Sequence, residues 1–170
     1  MASYVLELAA QEILGNGGNF EIIPLKRSFI LELMHWKTPE VISEQTTCLQ
    51  ITSGGISVDG DDRVAGGQPP MIELPKEGAL KDFAFYCPSS RTQATYDFIL
   101  YDPKDNHAWV FQVTTSPAHS VKGKGINDLR NRGIEKISFF AMTPPDMAID
   151  LPVSKEVVEC ITHTYQLQLR

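Results

Sequence analysis

The sequence has few cysteines, fewer basic than acidic residues, and no long apolar run. Its three cysteines, Cys48, Cys87 and Cys160, are widely spaced without a Cys-x-x-Cys pair, so we expect buried, reduced thiols. No apolar stretch approaches the roughly 18–20 residues that span a bilayer. The first residues contain Glu7 and Glu12 and lack the basic start of a secretory signal. We therefore expect an intracellular protein that has no membrane partner.

The motifs of several enzyme classes are also missing from the chain. It has no Gly-rich phosphate loop, no Gly-x-Ser-x-Gly and no His-Glu-x-x-His. Fifteen Lys and Arg against 21 Asp and Glu give a net charge of −6. Because phosphate affinity comes largely from Lys and Arg, this charge argues against a dedicated sequence-independent nucleic-acid binder.

The positive charge is concentrated in one segment. Residues 119–137 hold five cations and two anions, a local excess of three positive charges. The cations are Lys122, Lys124, Arg130, Arg132 and Lys136. A cationic segment on an acidic body can still contact phosphate, and the alternative is a solvated loop and helix surface.

Two apolar runs form the most informative part of the sequence. Residues 96–102 (YDFILYD) and 108–115 (AWVFQVTT) are rich in aromatic and β-branched residues and predict two strands, with a hairpin turn at 103–107 (PKDNH). Such apolar runs indicate a sheet that is covered on both faces. Asp97 and Gln112 are polar exceptions. A buried carboxylate such as Asp97 needs a donor, a metal ion or the mouth of a site.

The remaining pattern predicts further elements around this hairpin. Helical spacing predicts helices at 3–14, at 126–135 and after Ser154, which is a plausible N-cap. Strand composition predicts strands at 20–25, 48–52, 71–74, 83–86, 137–142 and, half-exposed, 165–169. Residues 28–36 fit either a short helix or a strand, and residues 53–70 predict a mobile Gly-, Asp- and Pro-rich loop.

These elements predict one domain over residues 1–170, of the α/β or α+β class. The strand at 137–142 follows a helix, so we expect it to be parallel to the strand at 108–115. The sum is a mixed central sheet with helices packed on it.

The order of elements resembles the restriction-endonuclease-like, or PD-(D/E)xK, fold. Gln112 and Thr114 are two residues apart and so lie on one face of a strand, and residues 116–126 (SPAHSVKGKGI) lead into the next helix. In that superfamily an Asp on one strand is followed by Glu/Asp-x-Lys on the next. Here Asp97 is followed by Gln-x-Thr, which departs from the usual pattern.

A closer resemblance is to the C-terminal domain of Crinkler effectors and retrotransposon-hot-spot proteins. Tyr86-Cys87-Pro88, Asp97 and FQVTTSPAHSVKGKGI match in order that family's aromatic-x-Pro, Asp, Phe-Gln-x-Thr, His, Lys and Gly-Ile, over residues 83–130. The resemblance implies a restriction-endonuclease-like core and action inside a host nucleus. It also implies an N-terminal translocation or NTPase region in the full-length protein.

The function that this resemblance implies is Mg²⁺-dependent hydrolysis of DNA phosphodiesters at a degenerate site. The implied catalytic residues are Asp97, Gln112, Thr114, His119 and Lys122, of which Asp97 and Gln112 would also hold Mg²⁺. The cationic segment beside this site supplies the candidate nucleic-acid contacts, which are Lys122, Lys124, Arg130 and Arg132. A Gln ligand removes one negative charge from the cation's shell, so a carboxylate must compensate or the nuclease is weak or inactive. The carboxylates that could compensate are Glu7, Glu12, Glu73 and Asp102.

Two other hypotheses stay open. The domain could be a catalytically inactive nuclease fold that binds nucleic acid or a host nuclear protein. Alternatively, it could be a structural domain with no site, in which Gln112 is a buried amide that ties the sheet to residues 116–125. In that case His119 would form a loop-stabilising hydrogen bond.

Overall fold

The computed structural model describes residues 2–40, 46–59, 68–89 and 95–169. These residues form a mixed α/β fold in which one large, curled, mixed sheet dominates and the helices are few. The helices are α1 (Ala2–Gly15), α2 (Gly123–Asn131) and α3 (Lys155–Cys160). The strands are β1 (Gly18–Pro24), β2 (Lys26–Ile30), β3 (Leu33–Lys37), β4 (Thr47–Thr52), β5 (Gly55–Val58), β6 (Met71–Glu73), β7 (Ala84–Cys87), β8 (Phe98–Asp102), β9 (His107–Val113), β10 (Lys136–Thr143), β11 (Asp150–Val153) and β12 (His163–Gln168).

The strands of the described residues form two sheets. The larger has the order β5-β4-β1-β12-β10-β9-β8-β7-β6, and the smaller has the order β11-β3-β2. Strands β7, β8 and β9 form an antiparallel meander, whereas β9 and β12 both run parallel to β10. Helix α2 connects β9 to β10. The prediction that this strand is reached by a helical crossover and is parallel is therefore confirmed.

The central strands are covered on both faces, as their apolar runs predicted. On the face that we call the α1 face, Phe98 and Phe111 pack with Leu14 of α1. On the opposite α2 face, Val110 and Phe139 pack with residues of α2, α3 and the smaller sheet. Each central strand therefore buries alternate side chains in two separate clusters, which explains why its sequence is apolar almost throughout.

Residues 28–36, which fitted a helix or a strand, form parts of the β2–β3 hairpin. Leu31 and Glu32 make its two-residue turn with φ of 50° and 64°. Positive φ at both turn positions matches the right-handed twist of the flanking strands. A short apolar run cannot by itself distinguish a strand from a helix, so the hairpin partner was needed to decide.

Several predicted elements differ from the structure. Strand β12 lies between β1 and β10, and Tyr165, Gln166 and Leu167 are buried, so the prediction of a half-exposed final strand was wrong. Strands β5 and β11 were not predicted. The three cysteines are free thiols, as expected. They are not buried, however, because Cys48 is exposed and Cys87 and Cys160 are only partly buried. Residues 60–67 of the predicted loop lie outside the described residues.

Thr95 anchors the N-terminus of α2 to the residues before β8. Its hydroxyl donates a hydrogen bond to the Lys122 carbonyl oxygen at 2.9 Å and accepts one from the Gly125 N–H at 2.9 Å. A Cβ atom on Gly125 would lie 2.5 Å from the Thr95 Cβ and 2.9 Å from a ring carbon of Tyr96. Only glycine allows this approach, which also explains why α2 begins three residues before the predicted start.

We therefore expect Gly125→Ala to destabilise the fold. The added methyl overpacks the contact with Thr95 and should lower the free energy of unfolding by about 1–3 kcal/mol, measured by urea denaturation. The control is Gly54→Ala, where the nearest atom would lie 3.9 Å from the new Cβ. Equal effects of the two substitutions would show that the close approach of α2 is not required.

Candidate functional site

Asp97 lies immediately before β8 and joins that strand to the end of β9. Its N–H donates to the Phe111 carbonyl oxygen at 2.9 Å, and its Oδ2 accepts a hydrogen bond from the Val113 N–H at 2.6 Å. The carboxylate thus takes the place of a backbone acceptor and extends the β8–β9 pairing. This is the carboxyl end of β9 and its parallel neighbour β10, where α/β sheets commonly bind ligands.

The environment of Asp97 favours its protonated form. Burial is the main cause that raises the pKa of Asp97 from 3.8 to about 6, and the Glu7 carboxylate of α1 adds to it, while the Val113 N–H opposes the shift. Burial and Glu7 also raise the pKa of the Cys87 thiol. Glu7 therefore lies near the start of β8 and the end of β7. The Glu7 carboxylate is thus near enough to Asp97 to disfavour its charged form, as the smallest of the three causes.

Gln112 faces the other side of the sheet. Phe111 and Val113 belong to the cluster of the α1 face, so the alternation of side chains turns Gln112 toward the α2 face, level with Ala141 of β10. It is buried, with 8% of its surface exposed. Thr114 lies just beyond the end of β9 and is also buried. The carboxylate that perturbs Asp97 comes instead from α1, the helix of the opposite face.

Thr114 and the segment after it form local contacts. The Thr114 hydroxyl accepts a hydrogen bond from the Ser116 N–H at 3.1 Å, and the His119 N–H donates to the Asp150 carbonyl oxygen of β11 at 3.1 Å. The Nε2 atom of His119 is buried and has no hydrogen-bond partner in the described part of the chain. Burial and Lys122 lower the pKa of His119, so its imidazole is neutral at pH 7. Lys122 itself is exposed.

The four carboxylates considered as substitutes lie in different places. Asp102 is at the far end of β8, roughly 16 Å from Asp97 for a strand of this length, and accepts a hydrogen bond from the Lys104 N–H. Glu73 is exposed on the edge strand β6. Glu12 lines an open groove between α1 and residues 68–71. Glu7 is the one that raises the pKa of Asp97.

The predicted nucleic-acid contacts also have different environments. Lys122, Lys124 and Arg130 are exposed. The side chain of Arg132 is only 5% exposed and donates to the Asp128 carboxylate at 3.0 Å. It also donates to the carbonyl oxygens of Pro75 at 2.6 Å and Gly78 at 3.1 Å. These bonds tie the end of α2 to the turn after β6, so the Arg132 guanidinium is already used within the fold.

The donor set near Asp97 fits Mg²⁺ through two carboxylates. Within the described ranges, no three His, Cys, Asp or Glu side chains lie close enough together to hold a metal ion. Proteins commonly bind Mg²⁺ through one or two carboxylates, with water and substrate phosphate as the other ligands. A partly buried pair of like charges with a raised pKa is stabilised by such a cation. Asp97 and Glu7 are therefore the residues that would hold such an ion, whereas Gln112 faces the other side of the sheet.

Sequence reasoning missed two residues that position this region, Thr95 and Gly125. Gly125 lies in the Gly-rich run GKGI, which was a usable signal for a close backbone approach. Thr95 carried no such signal, because its partners are 27 and 30 residues away in sequence.

Comparisons of the chain with protein-family models, with curated proteins and with solved structures found no match. The resemblance to Crinkler-type domains accordingly depends on the motif residues alone. None of the helices among the described residues is long and apolar enough to cross a membrane.

The bonds of Arg132 predict a structural role for this side chain. Arg132→Ala leaves two carbonyl oxygens and the Asp128 carboxylate without their donor and should lower the free energy of unfolding by about 2 kcal/mol. Lys124→Ala is the control, because Lys124 is an exposed cation of α2. Chemical denaturation of both variants tests the assignment, and a Lys124→Ala effect as large as that of Arg132→Ala would contradict it.

The raised pKa of Asp97 predicts a pH-dependent effect of Asp97→Asn. Because folding raises this pKa, Asp97 contributes most to the free energy of unfolding below pH 3.8, where it is protonated. This contribution is lost as pH rises through about 6. Asn keeps an acceptor for the Val113 N–H and carries no charge. Its stability relative to wild type should therefore rise from acidic to neutral pH by about 1–2 kcal/mol, allowing for solvent screening. Unfolding curves at several pH values measure this, and a difference that does not change with pH would refute the shift.

Proposed function

We propose that the chain is a nuclease-like domain of the restriction-endonuclease-like superfamily that hydrolyses DNA phosphodiesters with Mg²⁺. The observation that carries this proposal is the partly buried Asp97 carboxylate, which the Val113 N–H holds at the carboxyl end of β9. Burial, with a smaller contribution from Glu7, raises its pKa to about 6. The connectivity supports it. A meander of β7, β8 and β9 followed by the α2 crossover to β10 agrees with the core that the motif resemblance implies.

The residues of the pair have distinct roles in this proposal. Asp97 and Glu7 would hold Mg²⁺, which supplies Lewis acidity at a phosphoryl oxygen and offsets the charge of the transition state. Val113 fixes the orientation of Asp97 through its N–H. Since Asp97 must be ionised to bind a cation, metal affinity should weaken as pH falls below about 6.

The segment before α2 would supply the remaining groups. The neutral imidazole of His119 has a buried Nε2 without a partner among the described residues, and this atom can accept a proton. Lys122 and Lys124 are exposed at the start of α2 and would contact the DNA backbone. We take the site of action, a host nucleus, from the family resemblance.

A second function is favoured by the position of Gln112 and Thr114. Gln112 faces α2, and neither Gln112 nor Thr114 can supply a negative ligand or a lysine to Asp97. The usual second half of the superfamily's signature is therefore missing. A catalytically inactive module that binds nucleic acid or a host nuclear protein is consistent with this. The exposed cations of α2 would then form its binding surface.

Cleavage of plasmid DNA tests the first function directly. Purified protein with Mg²⁺ or Mn²⁺ should nick supercoiled plasmid, and Asp97→Ala and Glu7→Gln should each lower the rate at least about 100-fold through loss of a metal ligand. Glu12→Gln is the matched control, since Glu12 lies on the same helix but lines a different groove. This control should retain the wild-type rate.

The same assay separates the two functions. Cleavage that survives Asp97→Ala would refute the proposed site. The second function predicts a different result: no cleavage with Mg²⁺ or Mn²⁺, but a shift of DNA in gels. Salt and the double substitution Lys122→Ala, Lys124→Ala should both weaken that shift.

A further inference from the structure

The β2–β3 hairpin carries a group of exposed apolar side chains at its tip. Leu31 is 94% exposed and Phe29 67%, while Ile30 and Leu33 are 37% and 39% exposed. Single exposed apolar residues are ordinary on protein surfaces, but four next to one another on one turn mark an interaction site. We call these four residues the hairpin tip.

The strand that leads to the hairpin tip has a free edge. β2 pairs with β3, and no other strand of the described residues pairs with it. In a hairpin with a two-residue turn, Ile30 and Leu33 form a hydrogen-bonded pair, so the bonding direction alternates from there along β2. The N–H and C=O groups of Arg27 and Phe29 therefore point away from β3. An apolar edge with such groups is a template for another strand.

We propose that β2 pairs antiparallel with β2 of a second copy of this chain, which makes a twofold-symmetric dimer. A twofold axis at Ser28 sets Arg27 of each copy opposite Phe29 of the other. All the outward N–H and C=O groups of these two residues are then used, in four hydrogen bonds between the copies. The same surface serves on both sides, as a twofold interface requires.

The charge pattern of the hairpin is self-complementary in this arrangement. Lys26 and Arg27 begin β2, and Glu32 lies in the turn at its other end. Antiparallel pairing sets Lys26 diagonal to Glu32 of the second copy, within reach of a long side chain, and Arg27 over the Phe29 ring. Parallel pairing would align like charges. A lipid surface fits less well, because Glu32 would place a carboxylate among the inserted apolar side chains.

Sedimentation analysis over a range of protein concentrations tests the dimer. The wild-type chain should associate, and Phe29→Lys should raise the dissociation constant at least about tenfold, because it sets Lys opposite Arg27 of the second copy. Ile72→Lys is the control, because it introduces Lys at an apolar residue, 41% exposed, on β6, an edge strand of the larger sheet. A wild-type chain that is monomeric throughout, or a dimer that Phe29→Lys leaves intact, would overturn the proposal.

Disulfide trapping tests the register. In a Cys48→Ser background, Ser28→Cys should cross-link two copies, because facing residues of a non-hydrogen-bonded antiparallel pair have Cα atoms about 4.5 Å apart. Lys26→Cys should not, because the two Lys26 positions would be roughly 14 Å apart. The reverse result would overturn this register. A monomer that binds anionic vesicles through Phe29 would overturn the dimer in favour of a lipid partner.

Discussion

The hydrogen bond from the Val113 N–H to the Asp97 carboxylate holds together the end of the sheet on which the account depends. Regular pairing of β8 begins at Phe98, and the side chain of Asp97 extends it by one position. Two residues earlier, Thr95 fixes α2 through the backbone of Lys122 and Gly125. Three consecutive residues thus join two strands and a helix, and the proposed metal ligand is the last of them.

This junction has an electrostatic cost. A partly buried carboxylate with one backbone donor and a second carboxylate nearby is less stable as an anion than it would be in water, which is what the raised pKa of Asp97 expresses. A chain that needed only to close the sheet could use a neutral acceptor at this position. A carboxyl group with a raised pKa in such surroundings is common at sites that bind a cation or move a proton, although ion-pair networks also perturb pKa values.

The sequence contained enough information for the centre of the fold and too little for the faces of the site. Aromatic and β-branched runs identified β8 and β9, and the helix between β9 and β10 implied their parallel arrangement. The alternation of side chains along β9 turns Gln112 toward the α2 face. Which helix covers each face of the sheet depends on tertiary packing. The sequence spacing therefore could not predict that Glu7, rather than Gln112, would act on Asp97.

The same limit applies to the cations and to the smaller sheet. The local excess of positive charge predicted that Arg132 contacts phosphate. Its guanidinium instead donates to the carbonyl oxygens of Pro75 and Gly78, more than 50 residues away in sequence. Strand β11 is four residues long and includes Pro152, and it is held by pairing with β3 rather than by its own composition. Contacts that are distant in sequence decided both outcomes.

The measurement that tests the central claim most directly is an NMR titration of the Asp97 carboxyl carbon, with and without Mg²⁺. The account predicts a pKa near 6 in the absence of metal. It predicts a lower pKa when Mg²⁺ is added, and loss of that response in Glu7→Gln. A pKa at the ordinary value of 3.8, or one that Mg²⁺ does not change, would contradict the claim that Asp97 and Glu7 form a cation site.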